Sequence, residues 1–309
     1  MKKIFIIHEN NEWLTPLEAE LKKINAPYEN WHMNTISIDM NTIPPDGVFY
    51  NRMSASSHTR GHRYAPEYTS TVLNWLESYK KKIINNSQAL ILELSKSFQY
   101  KELEKEDIKV PKTVYASNKK TLLHLGKNFP LPFLTKHNRA GRGLGIKLFY
   151  NYVDFEKYVQ SNNFEDSIDG ITLLQKYIKP KTNTITRTEF VGNKFLYAVQ
   201  VDTSKGFELC PADACNLKDE YCPTNSTGNK FMILDNFYHP ILEKYKKVLK
   251  SNSIEIAGIE FLEGLDGELY TYDINTNTNY NSIAESLSEL KGMRAIAYYL
   301  KKELNLINN

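Results

Sequence analysis

The chain is short of arginine: only seven of its 39 Lys and Arg residues are arginine. It is also short of cysteine. Cys210, Cys215 and Cys222 make an odd count, which excludes a fully paired disulfide framework and favours a reducing compartment. No apolar run approaches the roughly 20 residues needed to cross a bilayer. The apolar opening breaks off at His8-Glu9-Asn10-Asn11, far short of the core of a signal peptide. The chain therefore reads as cytoplasmic, with no membrane partner. Charge of neither sign dominates, and a net +3 is no footprint of a nucleic-acid partner. Internal repeats and low-complexity linkers are absent too. What is present is 309 residues, 41% of them hydrophobic and 24% charged. That composition is globular, and the length suffices for two or three packed units. Because only arginine offers a rigid planar fork to an anion, the places of the scarce arginines matter.

Residues 2–7 read as a strand of the kind buried in a parallel sheet. A helix over 15–23 follows, with Leu17, Leu21 and Ile24 at helical spacing. A second strand is expected at 47–50, a helix over 68–82, and a third strand from Ile83. This alternation predicts a small open α/β unit over 1–92. Beyond it the texture changes. Ser95 is placed to cap a helix running to 106. Strands are expected after Pro111, at 131–136, 146–150 and 171–178, with helices over 121–126 and 154–160. A hairpin over 188–202 turns at Gly192-Asn193. His239-Pro240 opens an amphipathic helix, Pro suiting its first turn. A second hairpin pairs 256–262 with 268–274, and a last helix covers 283–304.

Three segments carry chemistry. In residues 258–275, strand alternation puts Glu260, Asp273 and Asn275 on one face of a hairpin. Two carboxylates and an amide oxygen suit Mg²⁺, and an ordinary solvated hairpin is the plain alternative. In residues 132–149, Lys136 ends a strand, and Gly141, Gly143 and Gly145 follow in a basic loop able to close on phosphate oxygens. A simple turn would look similar, since no standard phosphate-loop pattern is met. Residues 173–180 form an apolar strand stopped by Pro180, either an edge strand or a hinge whose backbone meets a base. A fourth segment, 51–64, follows the strand at 47–50, where open α/β sheets bind ligands. Its Arg52, His58, Arg60, His62 and Arg63 suit a carboxylate or phosphate; a solvated basic loop or an RNA-contacting patch are the alternatives. His8 and Glu9 lie just past the first strand and are candidates for the same cleft. The spacing of the three cysteines with His239 matches no zinc ribbon, so buried thiols are the simple reading.

The order of these features — glycine loop after a Lys-bearing strand, hinge strand, acidic hairpin — resembles the ATP-grasp superfamily over about residues 90–305. It is most similar to the branch of the ribosomal-protein glutamate ligase and glutathione synthetase. The resemblance implies an N-terminal open α/β domain (1–92) before a two-lobed α+β ATP-grasp fold. The central lobe (93–170) would carry the glycine loop, and the C-terminal lobe (171–309) the metal hairpin. It also implies ATP and Mg²⁺, with Mn²⁺ as a substitute metal. A carboxylate is then activated as an acyl phosphate, and an amine converts it to an amide with release of ADP and phosphate. The substrate implied is an amino acid, glutamate by analogy, or a peptide with an amine acceptor. A homodimer or higher homo-oligomer is implied as well.

Position by position, Lys96 and Lys136 match phosphate-binding lysines, with Gly141, Gly143 and Gly145 beside them. Gln175, Lys176, Tyr177 and Ile178 match the adenine hinge. Arg187, together with Lys136, matches the residues facing the acyl phosphate, and Glu260, Asp273 and Asn275 match the metal ligands. Two departures stand out. The ribose-binding acid is replaced by Ile185, with Asn183 or Thr184 as substitutes. The metal Asn runs on into Thr276-Asn277-Thr278-Asn279-Tyr280-Asn281 in place of the family's small-Ser-Pro-Gly turn. Asn277 and Asn279 thereby join Arg52, His58, Arg60 and Arg63 on the substrate side. A small-molecule kinase and a non-catalytic nucleotide-binding regulator remain alternatives. Six of the seven arginines (52, 60, 63, 139, 142 and 187) fall in these segments, and only Arg294 has no assigned role.

Overall fold

The computed structural model describes residues 2–141, 143–203, 231–234 and 236–307. The three cysteines and Arg142 therefore lie outside the described residues. The chain opens with β1 (Lys3–His8), α1 (Asn11–Lys23), β2 (Tyr28–His32), β3 (Gly47–Asn51), a single 3-10 turn at Ser57–Arg60, α2 (Ala65–Ser78) and β4 (Lys82–Ile84). The strands run parallel in the order β2-β1-β3-β4. α1 starts earlier than its apolar spacing indicates, because the Asn10 side chain accepts hydrogen bonds from the backbone N–H groups of Glu12 and Trp13. β2 has no apolar pattern, since it is an edge strand that buries Trp31 alone.

The central lobe follows with α3 (Ser87–Leu94), α4 (Lys96–Lys105), β5 (Thr113–Ala116), α5 (Lys119–Asn128), β6 (Phe133–His137), β7 (Lys147–Phe149), α6 (Tyr152–Gln160) and β8 (Thr172–Lys176). Its antiparallel sheet has the order β5-β8-β6-β7. β8 pairs with β5 and β6, so the central sheet runs past the border expected at 170/171. α3 crosses the border expected at 92/93. Its Leu90 packs on the N-terminal unit, whereas Ala89 and Leu92 pack with Tyr245, Ile259 and Ile274.

The last sheet is built from β9 (Thr184–Val191), β10 (Lys194–Asp202), β11 (Phe231–Leu234), β12 (Ile256–Glu263) and β13 (Leu269–Asn275), with α7 (Ile241–Ser251) between β11 and β12. Its order is β11-β10-β9-β12-β13, all antiparallel. The expected last helix is two, α8 (Ser282–Ser286) and α9 (Gly292–Leu306). The break is held by Glu285, which accepts the Gly292 N–H at 2.6 Å and the Tyr197 hydroxyl at 2.7 Å. Tyr280 lies so close to Gly292 that a Cβ there would sit 2.3 Å from its ring.

α9 joins the ends of the chain. Its Ile296, Ala297 and Leu300 share one core with Ile4, Ile6 and Val48 of the parallel sheet and Val191 and Ile256 of the last sheet. Among the described residues no helix is long and apolar enough to cross a membrane. Because Leu300 is fully buried in this shared core, Leu300→Ala should cost about 2–5 kcal/mol. Thermal unfolding followed by circular dichroism should show one transition, shifted down. Separate transitions for the N-terminal unit and the rest would contradict a shared core.

Candidate functional site

Antiparallel register sets the centre. Glu260 on β12 lies opposite Asp273 on β13 and Arg187 on β9, while Gly258 lies opposite Asn275 and Glu189. Ile259 and Phe261 point the other way into the core, as strand alternation requires. The guanidinium of Arg187 is buried. It donates to Glu189 Oε1 at 2.5 Å, Glu260 Oε1 at 3.1 Å and Thr278 Oγ1 at 2.7 Å. It reaches them by crossing Gly258, where a Cβ would sit 2.5 Å from its nitrogens. Glycine is thus required there by close approach, its backbone being unremarkable.

Lys96, the first residue of α4, donates to Asp273 Oδ1 at 2.7 Å. Lys136, from the end of β6, is buried against the hydroxyl of Tyr100 and the carbonyl of Tyr272, with its ammonium 5.4 Å from the Tyr272 ring centre. Ser95 does not cap α4 with its side chain. The cap comes from Asn138, the first residue of the glycine loop, whose Oδ1 accepts the Ser97 N–H at 2.9 Å while its carbonyl accepts the Lys96 N–H at 3.2 Å. Asn138 thereby locks the loop to the helix that carries Lys96.

These groups line a solvent-open cavity of about 940 Å³. Of the residues expected from sequence, it brings together Lys96, Lys136, Gly141, Gly143, Arg187, Glu260, Asp273, Asn275, Asn277 and Asn279. Gly145 stands behind the loop with φ +72°, and a Cβ there would strike the His137 ring. The expected hinge does not line the cavity. Gln175 is turned inward onto Tyr100 and Thr113, Lys176 donates its ammonium to the Leu131 carbonyl, and the Tyr177 N–H is bonded to the Pro132 carbonyl. Ile178 lies past the end of β8, close to Gly264. Asn183 is away from the cavity as well, its carbonyl accepting the Thr203 N–H.

The arginines and histidine of segment 51–64 do not converge on one ligand. Arg60 makes a bidentate pair with Glu9 at 2.6 and 3.1 Å and lies over the Trp13 ring. Arg63 and Arg139 both bind Glu67, whose carboxyl they hold down at about 2 against the opposing effect of burial. His58 sits near Arg139, with burial foremost in lowering its pKa. Arg52 is buried under the 276–281 segment. Arg294 pairs with Glu20 at 3.5 Å on the surface, and His239 accepts the Ile241 N–H at the start of α7.

Four site residues escaped the sequence reading. Glu189 holds Arg187. Glu93 accepts hydrogen bonds from Thr276 and Ala55 and lines the cavity. Asn85 ties the Ile256 and Thr276 carbonyls together. Asn138 couples the loop to α4. Only Glu189 left a trace, as an acid two positions after an arginine in a strand otherwise made of threonines and apolar residues.

Burial pushes Glu260 up to about 7 although Arg187 opposes it. Burial acts on Asp273 too, but Lys96 and Lys136 outweigh it and hold that carboxyl below its ordinary value. The Lys136 ammonium is lowered by burial against the pull of Asp273 and Glu260. Two carboxylates and an amide facing one cavity form a hard oxygen donor set, and a buried carboxyl raised in this way gains from an added cation. The residues fit Mg²⁺.

No protein-family model and no curated protein matches the sequence. Solved structures match over almost its full length. The ATP-grasp ligase PsnB, complexed with a minimal precursor, Mg and ADP, has TM-score 0.66 at 10% identity, over 97% of this chain and 97% of that one. D-cycloserine synthetase DcsG has TM-score 0.67 at 12% identity, over 97% and 99%. The chain has the ATP-grasp fold. A third ATP-grasp structure, a RiPP-associated ligase of Chryseobacterium gregarium in complex with ADP and a leader and core peptide, has TM-score 0.65 at 16% identity over 98% and 97%. On this ATP-grasp fold the charged cavity lies between the glycine loop of the central lobe and the β12–β13 hairpin of the last sheet.

A carboxyl whose folded pKa is raised contributes most stability below its ordinary value of 4.5 and loses it as pH rises towards about 7. Glutamine does not titrate. The stability of Glu260→Gln relative to the parent should therefore rise between about pH 5 and about pH 8. Urea unfolding of both proteins at the two pH values checks this, and a constant or falling difference would contradict the burial of a titrating Glu260.

Proposed function

We propose that the protein is an ATP-dependent carboxylate–amine ligase acting on an amino acid or a peptide. The observation that carries the reading is the convergence of Lys96, Lys136, Arg187, Glu260 and Asp273 on one cavity of an ATP-grasp fold. The minimal precursor, Mg and ADP bound by PsnB, and the leader and core peptide bound by the Chryseobacterium ligase, support nucleotide, metal and substrate of this kind.

In this reading a substrate carboxylate oxygen attacks the γ-phosphorus of ATP and the bond to the β-phosphate oxygen breaks, leaving ADP and an acyl phosphate. An amine then attacks the acyl carbon, the C–O bond to phosphate breaks, and the amine loses a proton as the amide forms. No side-chain nucleophile is needed. Phosphoryl transfer depends on positioning and charge neutralisation. Lys96 and Lys136 supply positive charge to the phosphates, with the backbone of Gly141 and Gly143 alongside. Arg187, fixed by Glu189 and Glu260, faces the acyl phosphate with a fork that does not have to be reorganised during reaction. Glu260, Asp273 and Asn275 would hold Mg²⁺, which when bound neutralises phosphate charge. Lys96 exchanges its pairing with Asp273 for the phosphates as the site fills.

Hydroxylamine distinguishes this reaction from a kinase. Supplied with ATP and a panel of amino acids and short peptides, the protein should release ADP and form a hydroxamate from one of them; ADP release without hydroxamate or amide would sink the ligase reading. Asp273→Asn should lower turnover more than about tenfold, since a charge contact made in the transition state is worth a few kcal/mol, and unchanged turnover removes the metal assignment. Gly258→Ala drives a methyl into the Arg187 guanidinium and should lower kcat by a comparable factor. An unaffected kcat would show that the position of Arg187 does not matter to the reaction.

A further inference from the structure

A second, smaller cavity adjoins the main one and shares Trp13 and Asn277 with it. It lies at the carboxyl end of the parallel sheet, beside the start of α1. Its polar lining comes from His8, Glu9, Asn10, Arg52 and Asn277. Three of these present buried polar atoms without a side-chain partner: Nε of Arg52, both ring nitrogens of His8 (one of them near the Asn10 backbone), and Oδ1 of Asn277, an acceptor that faces donors rather than an anion. His8 and Arg52 are each 3% exposed. Buried polar groups are almost always paired, so several orphans converging on one cavity mark the place of a missing partner.

Charge says what that partner is. Arg52 donates to the carbonyls of Trp13 and Thr278 and to Oδ1 of Asn279, all neutral acceptors. No carboxylate pairs with it among the described residues. The neighbouring Glu9 is already neutralised, its two oxygens taken by Arg60 and by His62. A guanidinium taken out of water without a counter-ion is costly. Every other arginine described in the structure has its carboxylate: Arg60 has Glu9, Arg63 and Arg139 have Glu67, Arg187 has Glu189 and Glu260, and Arg294 has Glu20.

We infer that this cavity is an anion subsite that holds a substrate carboxylate other than the reacting one, with Arg52 as counter-charge and His8 as a neutral hydrogen-bond donor. The word substrate rests on the ligase reading above; the anion site does not. Burial first, then His32 and Arg52, push His8 down to about 4. At neutral pH its imidazole thus adds no charge. The cavity is too small for a sugar or a nucleotide, so only a compact end group of a ligand would enter it. The rest of the ligand then passes Trp13 and Asn277 to reach Lys96 and Arg187. Such a carboxylate is supplied by the α-carboxylate of an amino acid or by an acidic side chain of a peptide.

The full-length protein without nucleotide tests the subsite with sodium acetate, against acetamide and sodium chloride at equal ionic strength. Tryptophan fluorescence and the thermal midpoint are the readouts. Acetate should bind saturably and raise the midpoint, and the two controls should not. His8→Phe should weaken acetate more than about tenfold, the worth of a hydrogen bond to a charged group, without changing the affinity for Mg²⁺ and a non-hydrolysable ATP analogue. Arg52→Lys, which keeps the charge and loses the fork, is the second variant and should weaken acetate as well. Equal behaviour of acetate and the controls, or parental acetate binding by both variants, overturns the subsite. If acetate binds and the ATP analogue does not, the ligase reading falls and the subsite stands; the reverse result sinks the subsite alone. With an active substrate in hand, ADP release from amino acids against their α-amides, and from Asp or Glu peptides against Asn or Gln peptides, separates the two sources. Equal turnover of carboxylate and amide in both pairs also overturns the proposal.

Discussion

One buried guanidinium organises the centre of this molecule. Arg187 lies in the middle of a five-stranded sheet, and its charge is tolerated there because Glu189 and Glu260 flank it and Thr278 takes its remaining nitrogen. Buried charges survive only when paired and fully hydrogen-bonded, and removing one partner of such a pair typically costs about 3–5 kcal/mol. That requirement propagates outward. Gly258 must lack a side chain for the guanidinium to pass. Thr278 must sit above the sheet, which fixes the course of the segment after β13. Glu260, opposite Arg187 on the neighbouring strand, is left beside Asp273 with its carboxyl raised by burial.

The main cavity is lined by a chain of opposite charges, Lys96, Lys136 and Arg187 against Glu260 and Asp273. Lys96 meets Asp273, Arg187 meets Glu260, and Lys136 is close to both acids without a bond to either. Elements from all three sheets hold these groups still. Asn138 binds the glycine loop to α4, Asn85 and Glu93 bind the N-terminal unit to the residues after β13, and α9 packs the two ends of the chain into one core. In the ligase reading proposed above, a site so braced needs little reorganisation when charge develops. The departure at 276–281 belongs to the same bracing, because Thr276 binds Glu93, Thr278 binds Arg187 and Glu189, and Asn279 binds Arg52.

Much of this arrangement is legible in the sequence. The acidic hairpin is legible because side chains alternate along a strand, so Glu260 and its partners Asp273 and Asn275 share a face once the two strands pair; the register shift after Glu260 lies beyond them. The glycine loop and the Lys-bearing strand were readable because glycines mark where the backbone must turn. Elements with weak local signals were missed: β2, an edge strand with one buried residue, and α3, too short to show a helical period. The last helix was read as one because Gly292 inside an otherwise periodic run does not reveal the aromatic ring that stops it.

The arginines divide along the same line. Their clustering in a few segments is a fact of sequence, and it pointed to a surface built for anions. Which carboxylate an arginine meets is partly local, Glu67 lying four residues after Arg63 and Glu189 two after Arg187, and partly distant: Glu9 for Arg60, Glu67 for Arg139 and Glu260 for Arg187. Local pattern set the strands, the faces their side chains take and the residue types on offer, because these follow from backbone periodicity. Only the tertiary structure decided which charges cancel and that Arg52 has no carboxylate partner among the described residues. The pairs Arg60–Glu9, Arg139–Glu67 and Arg187–Glu260, about 50 to 70 residues apart, are a property of packing and have no trace in local sequence.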